Sequence, residues 1–324
     1  AWTDSSTLQL SNKLVFLEVS ADTFTLKEAS ATDAEEFWDS REPHTPITLE
    51  CNDDTAGLFD MTELSHTSLT FIGAKAANFA ELSKIRMGND SLPVPENAFA
   101  IPFYYYRKHI KDNGIEEYIE KVLSDSLAAI DYLRRTLLLD TLRNKIVDAP
   151  LDTMFVSVVE TKIRSMSTFQ RMRFRSSTNV EDLESFNGAG LYDSYTGDLT
   201  DPRKSVAEAI KKTFASLWTL RGFDEREYFK IDQRSVAMGI LVHRSFPDEE
   251  VNGVAITGNI YKPEVSAFTI NAQIDEISVV KPPPGCISDQ LIFYLYSNEA
   301  FDKPVIEYIT TSNMNNKASV MSES

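Results

Sequence analysis

The stretch FRSSTNVEDLESFNGAGLYDSY (174–195) carries the side chains of this sequence best suited to chemistry. Arg175 is followed by the hydroxyls of Ser176, Ser177 and Thr178, and then, past several carboxylates, by a Gly-x-Gly step at Gly188 and Gly190. Phosphate recognition needs positive charge, donors and close backbone approach. An arginine donates its planar fork bidentately to phosphate oxygens. Glycines let main-chain N–H groups close over a phosphate with no Cβ in the way. Read alone, the stretch fits a polar surface loop as well as a phosphate grip. Lys75 follows Gly73 near a predicted helix start, where the helix dipole favours an anion; an exposed first-turn lysine is the plain alternative. The GxxxxGK[ST] and GxGxxG patterns are absent, which leaves a P-loop or Rossmann site unsupported, and no GxSxG or Ser–His–Asp order points to a hydrolase.

The elements that must position these groups read as follows. LVFLEV (14–19) predicts a buried strand. Residues 28–56 are acidic, broken by Pro43 and Pro46, and predict a connector. Ala76, Phe79, Ala80 and Leu82 at helical spacing make Gly73 the start of a helix, and Ala98 to Ile101 a short strand. Residues 115–147 predict a helical region whose apolar face runs through Ile119, Val122, Leu123, Leu127, Ile130, Leu133, Leu137 and Leu138. Residues 204–221 predict a further amphipathic helix with Val206, Ile210, Phe214, Leu217 and Trp218 along one side. Four apolar runs at 236–246, 253–259, 266–272 and 276–281 predict an antiparallel meander, after which LIFYLY and a polar tail show no further strand pattern. The order predicts the α+β class, divided at 1–65, 66–245 and 246–324.

The 324 residues carry 32 basic against 49 acidic side chains, a net charge of −17, with a pI near 4.7. Such a field repels nucleic acid and anionic lipid, so neither is an expected partner, and the place of each Arg and Lys becomes informative. Hydrophobic content of 42% provides for large cores. No apolar run approaches the roughly 18 residues of a membrane span. Cys51 and Cys286 form no CxxC and fit a reducing compartment, the cytoplasm. His44, His66, His109 and His243 have no second ligand at helical spacing and read as structural. The chain opens Ala-Trp-Thr, as a processed protein or a fragment does.

Five ordered blocks go further than any one of them: GAKAANFAEL (73–82), VPENAFAIPFYYY (94–106), FRSSTNVEDLESFNGAGLYDSY (174–195), AIKKTFASLWTLRGFDEREYFKIDQRSVAMGILV (209–242) and VNGVAITGN (251–259). Together they resemble the ATP-binding domain of phosphoenolpyruvate synthase and pyruvate phosphate dikinase, whose motifs run approximately GGKGANLAEL, VPxGFAI, VRSSAxxEDLxxxSFAG, ASLxxxRAxxYR and VAFTxNP. The resemblance covers roughly residues 66–280. It implies an ATP-grasp fold, a helical lobe and an antiparallel strand-rich lobe with a nucleotide cleft between them. It further implies ATP as cofactor with Mg²⁺, and phosphoryl transfer to a histidine on another domain and then to pyruvate. Lys75 and Arg175 match the family's phosphate-contacting cations, with Ser176 beside them. Gly188 and Gly190 match its mobile glycine loop, Arg226 the arginine of its YR pair, and Glu276 lies near its nucleotide- or metal-contacting glutamate.

The departures are as informative. GGKG has become Gly73-Ala74-Lys75-Ala76, and Gln273-Ile274-Asp275 has lost the glycines that precede the family glutamate. No acidic pair or Gln-x-Arg-Pro segment follows Glu276, so the ligands for magnesium are unassigned. The phosphohistidine and pyruvate-binding domains are expected on a longer chain or a partner. A non-catalytic ATP-grasp relative, serving as a binding or structural component, is the alternative. The acceptor stays open, since rifampicin and glucan phosphotransferases share related ATP domains.

Overall fold

A computed structural model describes every residue apart from 1–4, 21–22, 42, 44, 167–169, 182, 184–185, 187, 189, 247–248, 275–276, 281, 298–303 and 314–324. The chain divides into two units, Ala1–His243 and Arg244–Ser324. The first opens with a short helix, α1 (Ser5–Leu8), and a hairpin of β1 (Val15–Val19) and β2 (Phe24–Glu28). The strand expected at LVFLEV forms, but it is not buried: Leu17 and Val19 are 58% and 70% exposed. Among the described residues its only strand partner is β2, and a two-stranded sheet has little to bury itself against.

The expected connector is partly helical. α2 (Ala31–Asp39) starts at a capping box in which Ser30 and Asp33 satisfy each other's backbone N–H groups. The chain beyond it is stitched to the rest of the unit: the N–H of Ile47 donates to Lys230 O, and that of Asn52 to Thr70 O. β3 (Phe59–Asp60), α3 (Leu69–Ile72), α4 (Ala74–Leu82), the small hairpin β4 (Arg86–Met87) with β5 (Asp90–Ser91), β6 (Phe99–Ile101) and α5 (Phe103–Asp112) follow.

The region 115–147 does not form one continuous apolar face. It breaks into α6 (Glu116–Leu123), α7 (Ser126–Ile130) and α8 (Tyr132–Asp148). Aspartates cap two new starts: Asp125 accepts from the N–H groups of Leu127 and Ala128, and Asp131 from that of Arg134. The breaks leave Leu127, Ile130, Leu133 and Leu137 exposed, while Leu139, Leu142 and Ile146 enter the core. α9 (Thr153–Met166) is a further helix, not expected from the sequence; it buries Phe155, Val159 and Ile163, spaced at successive fourth residues.

β7 (Arg171–Thr178) and β8 (Tyr195–Asp198) pair antiparallel. α10 (Val206–Ala215) buries its apolar side, but the helix expected over 204–221 gives way after a 3-10 turn to α11 (Leu220–Tyr228), whose start is capped by Thr219 accepting from the N–H of Gly222. β9 (Met238–Arg244) is the middle strand of a five-stranded sheet of order β3-β6-β9-β7-β8. It is buried from Met238 to His243, which explains its unbroken apolar run.

In the second unit, β10 (Val251–Ile256), β11 (Ala267–Ile274), β12 (Asp289–Ser297) and β13 (Pro304–Thr310) form a four-stranded antiparallel sheet in chain order. The expected meander is therefore real but displaced. The run at 236–246 lies in the other unit as far as His243, and Ile277–Val280 is not strand. LIFYLY, expected to carry no strand, is the heart of β12. The class is α+β.

Candidate functional site

α4 is held against the end of β7 by a close approach at Gly73 and a hydrogen bond to Ser177. Gly73 sits at φ +83° and ψ 164°, a conformation essentially confined to glycine. A Cβ there would lie 2.2 Å from Ser177 O. The Ser177 hydroxyl in turn accepts a hydrogen bond from the N–H of Ala76 at 2.9 Å, satisfying one of the orphan donors of the helix's first turn. Ala76, Ala77 and Ala80 are buried and keep the helix close. This docking delivers Lys75 to the strand.

The Lys75 ammonium donates to Ser176 O at 2.7 Å, to Ser176 Oγ at 3.3 Å and to Glu181 Oε1 at 3.1 Å. Glu181 is almost wholly buried, whereas the lysine side chain keeps 32% of its surface exposed. The other carboxylate oxygen, Oε2, accepts from the N–H of Thr178 at 3.1 Å, and the Glu181 N–H donates back to Thr178 Oγ1 at 3.2 Å. Asn179 ties down the same turn: its amide donates to Glu50 O and Ser235 O, and its oxygen accepts from the Ala237 N–H.

β7 alternates strictly at first, with Met172 and Phe174 inward and Arg171, Arg173 and Arg175 on the other face. Arg175 is exposed by area, yet surrounding protein desolvates its head enough to pull its pKa down, and the nearby Glu181 charge pulls it back up. A guanidinium stays protonated under both influences. Gly188 packs on the same carboxylate side chain: a Cβ there would meet Phe186 Cε1 at 2.9 Å and Glu181 Cγ at 3.3 Å. Gly190 accepts from Arg221 through its carbonyl.

Lys75, Arg175, Ser176 and Gly188 thus gather around Glu181, a residue that the sequence reading quoted within its motif but did not single out. The acid lies three residues past Thr178 (the spacing of a side chain returning to a backbone N–H), and that was its signal. Ser176 and Ser177 are fully buried, so Ser177 serves as a cap. Arg226 is placed differently. It is fully buried, and among the described residues it donates to Gln233 Oε1 at 2.7 Å and to Tyr192 OH at 3.0 Å, not to the Lys75 group. Glu276 lies outside the described residues. Among the described residues no group of three His, Cys, Asp or Glu side chains could hold a metal ion, and no helix is long and apolar enough to cross a membrane.

A sequence profile of the pyruvate phosphate dikinase AMP/ATP-binding domain matches residues 69–280, more than half of the chain. The chain belongs to this family. It is similar to the phosphoenolpyruvate synthase of Aeropyrum pernix, at 27% identity over 192 residues covering 57% of this chain and 22% of that protein. It is also similar to the rifampicin phosphotransferase of Bacillus cereus, at 26% identity over 226 residues, 66% of this chain and 24% of that protein. The chain therefore spans about a quarter of the length of the curated relatives it matches. The family match includes Lys75, the whole of β7, Glu181 and both loop glycines.

Proposed function

We propose that the first unit of this chain binds the phosphates of ATP between Lys75 and Arg175, with the backbone around Gly188 and Gly190 closing over the nucleotide. The observation that carries this reading is the convergence of Lys75, Arg175, Ser176 and Gly188, from separate segments, around one buried carboxylate. Two cations and a glycine-lined approach suit a polyphosphate, because catalysis of phosphoryl transfer is mostly positioning and charge stabilisation. In this reading the fold is ATP-grasp-like and the chain is the ATP-binding portion of a phosphoenolpyruvate-synthase-like transferase in the cytoplasm. Phosphate would pass from ATP to a histidine on another domain and then to pyruvate. The described residues supply no ligand set of three His, Cys, Asp or Glu side chains for magnesium. Arg226 enters as a support of the loop, through Tyr192, and not as a phosphate contact.

A second reading, a non-catalytic relative acting as a binding or structural component, draws on the same site. All three donors of Lys75 already have protein acceptors. Calorimetric titration of the chain with Mg-ATP separates the two. Heat that saturates at one nucleotide per chain supports the proposed function; no heat, in a folded sample, supports the second reading.

A further inference from the structure

On the footing of the phosphate-binding reading, we propose that Glu181 is a built-in counter-anion that competes with ligand phosphate for Lys75, and so sets the affinity of the site for polyanions.

An ammonium has three N–H donors, and those of Lys75 face Ser176 O, Ser176 Oγ and Glu181 Oε1. The first is backbone of a buried strand and cannot withdraw. The second is a neutral hydroxyl at 3.3 Å, a weak partner. Glu181 is the one charged acceptor of the three. It cannot swing away without cost, because its other oxygen holds the Thr178 N–H and Gly188 packs on its side chain. A phosphate oxygen reaching Lys75 from its exposed side must therefore share the ammonium with a fixed carboxylate of like charge. The same carboxylate charge is felt by Arg175, so one anion tempers both cations.

This arrangement has a specific consequence. If Glu181 were only a support for Lys75, removing its charge would loosen the lysine and weaken phosphate binding. As a competitor, its removal leaves two cations with one compensating charge fewer, and binding tightens. Damage to a fold does not tighten binding, so the direction of the change distinguishes the two roles.

The test measures affinity of wild type, Glu181→Gln and Glu181→Asp for Mg-ATP and for inorganic tripolyphosphate, with circular dichroism as the folding control. The amide keeps an oxygen for the Thr178 N–H and presents no charge to Lys75. Neighbouring like charges removed from a partly exposed site change affinity by about tenfold, so Glu181→Gln should bind both ligands about tenfold more tightly. The aspartate, drawn back from Lys75 by one methylene, should fall between. Unchanged or weaker binding by a folded Glu181→Gln overturns the counter-anion role and leaves the phosphate-binding reading standing. Absence of binding by all three proteins overturns both. Loss of fold in Glu181→Gln moves the decision to Glu181→Asp, and loss of fold in both variants shows a structural residue and overturns the proposal.

Discussion

Two cationic centres lie in one unit of this chain, and their charges are neutralised in opposite ways. Lys75 and Arg175 face Glu181 at a partly exposed position. Arg226 is fully buried and, among the described residues, has no carboxylate at ion-pair distance; it relies on Gln233, on Tyr192 OH and on the rings of Trp218 and Tyr192, 5.8 and 5.9 Å from its guanidinium carbon. A buried charge persists only where hydrogen bonds and ring faces replace its hydration. Such a cation is committed to its protein partners. A lysine that keeps a third of its surface in solvent, with a carboxylate opposite, can exchange one anion for another. Burial and partner type, more than the match to a motif, separate an arginine held wholly by protein groups from cations placed where an anion could reach them.

Arg226→Ala removes a large buried side chain and strands the oxygens of Gln233 and Tyr192. We expect a loss of roughly 2–5 kcal/mol of stability, from cavity and unpaired polar groups together, read from denaturant unfolding. A variant of wild-type stability that fails to bind ATP would reverse the roles assigned here. At the other centre, Gly73→Ala places a side chain where only glycine backbone is at ease and against Ser177 O. Strain alone costs about 1–3 kcal/mol, and because Lys75 rides on the same helix, phosphate affinity should fall with it. Retained stability with retained affinity would show that the docking of α4 on β7 is not what positions the lysine.

His109 sharpens the contrast, because it is buried and able to discharge. Desolvation lowers its pKa below the ordinary value; a hydrogen bond to Ile146 O and the Asp112 charge oppose that shift, and Lys211 adds to it. The folded pKa is thus the lower of the two states. Its contribution to stability is present above about pH 6.5, the unfolded value, and is lost as pH falls towards the folded value. Stability should decline below pH 6.5 with a slope of at most about 1.4 kcal/mol per pH unit from this group. His109→Gln should flatten that decline in unfolding curves between pH 7 and 5. An unchanged slope would mean that another group titrates.

Much of the site was legible in the sequence because its signals are local. Gly73 before an alanine-rich helix, and Arg175 in a run of hydroxyls, each announce a backbone or charge requirement at their own position. The family pattern then put them in one place. Glu181 was harder to find, since an acid among acids declares no partner until Lys75 arrives from a segment far away in the chain. In the fold, β9 was readable as a strand but not as a member of the other unit, because pairing partners are non-local. β12 was missed for a related reason: LIFYLY has no alternation to mark two faces. The long helical region was over-read, because its apolar residues repeat at helical spacing while Asp125 and Asp131 restart the helix and turn several of them to solvent.

Arg175→Ala is the most direct test of the proposed phosphate site at Lys75 and Arg175. The Arg175 side chain makes no hydrogen bond or ion pair to another described residue, so its loss should leave the unfolding curve nearly unchanged. Losing a charge-assisted, bidentate phosphate contact should weaken Mg-ATP binding by about ten- to a hundredfold in calorimetric titration against wild type. Wild-type affinity in a folded Arg175→Ala protein would show that Arg175 holds no phosphate.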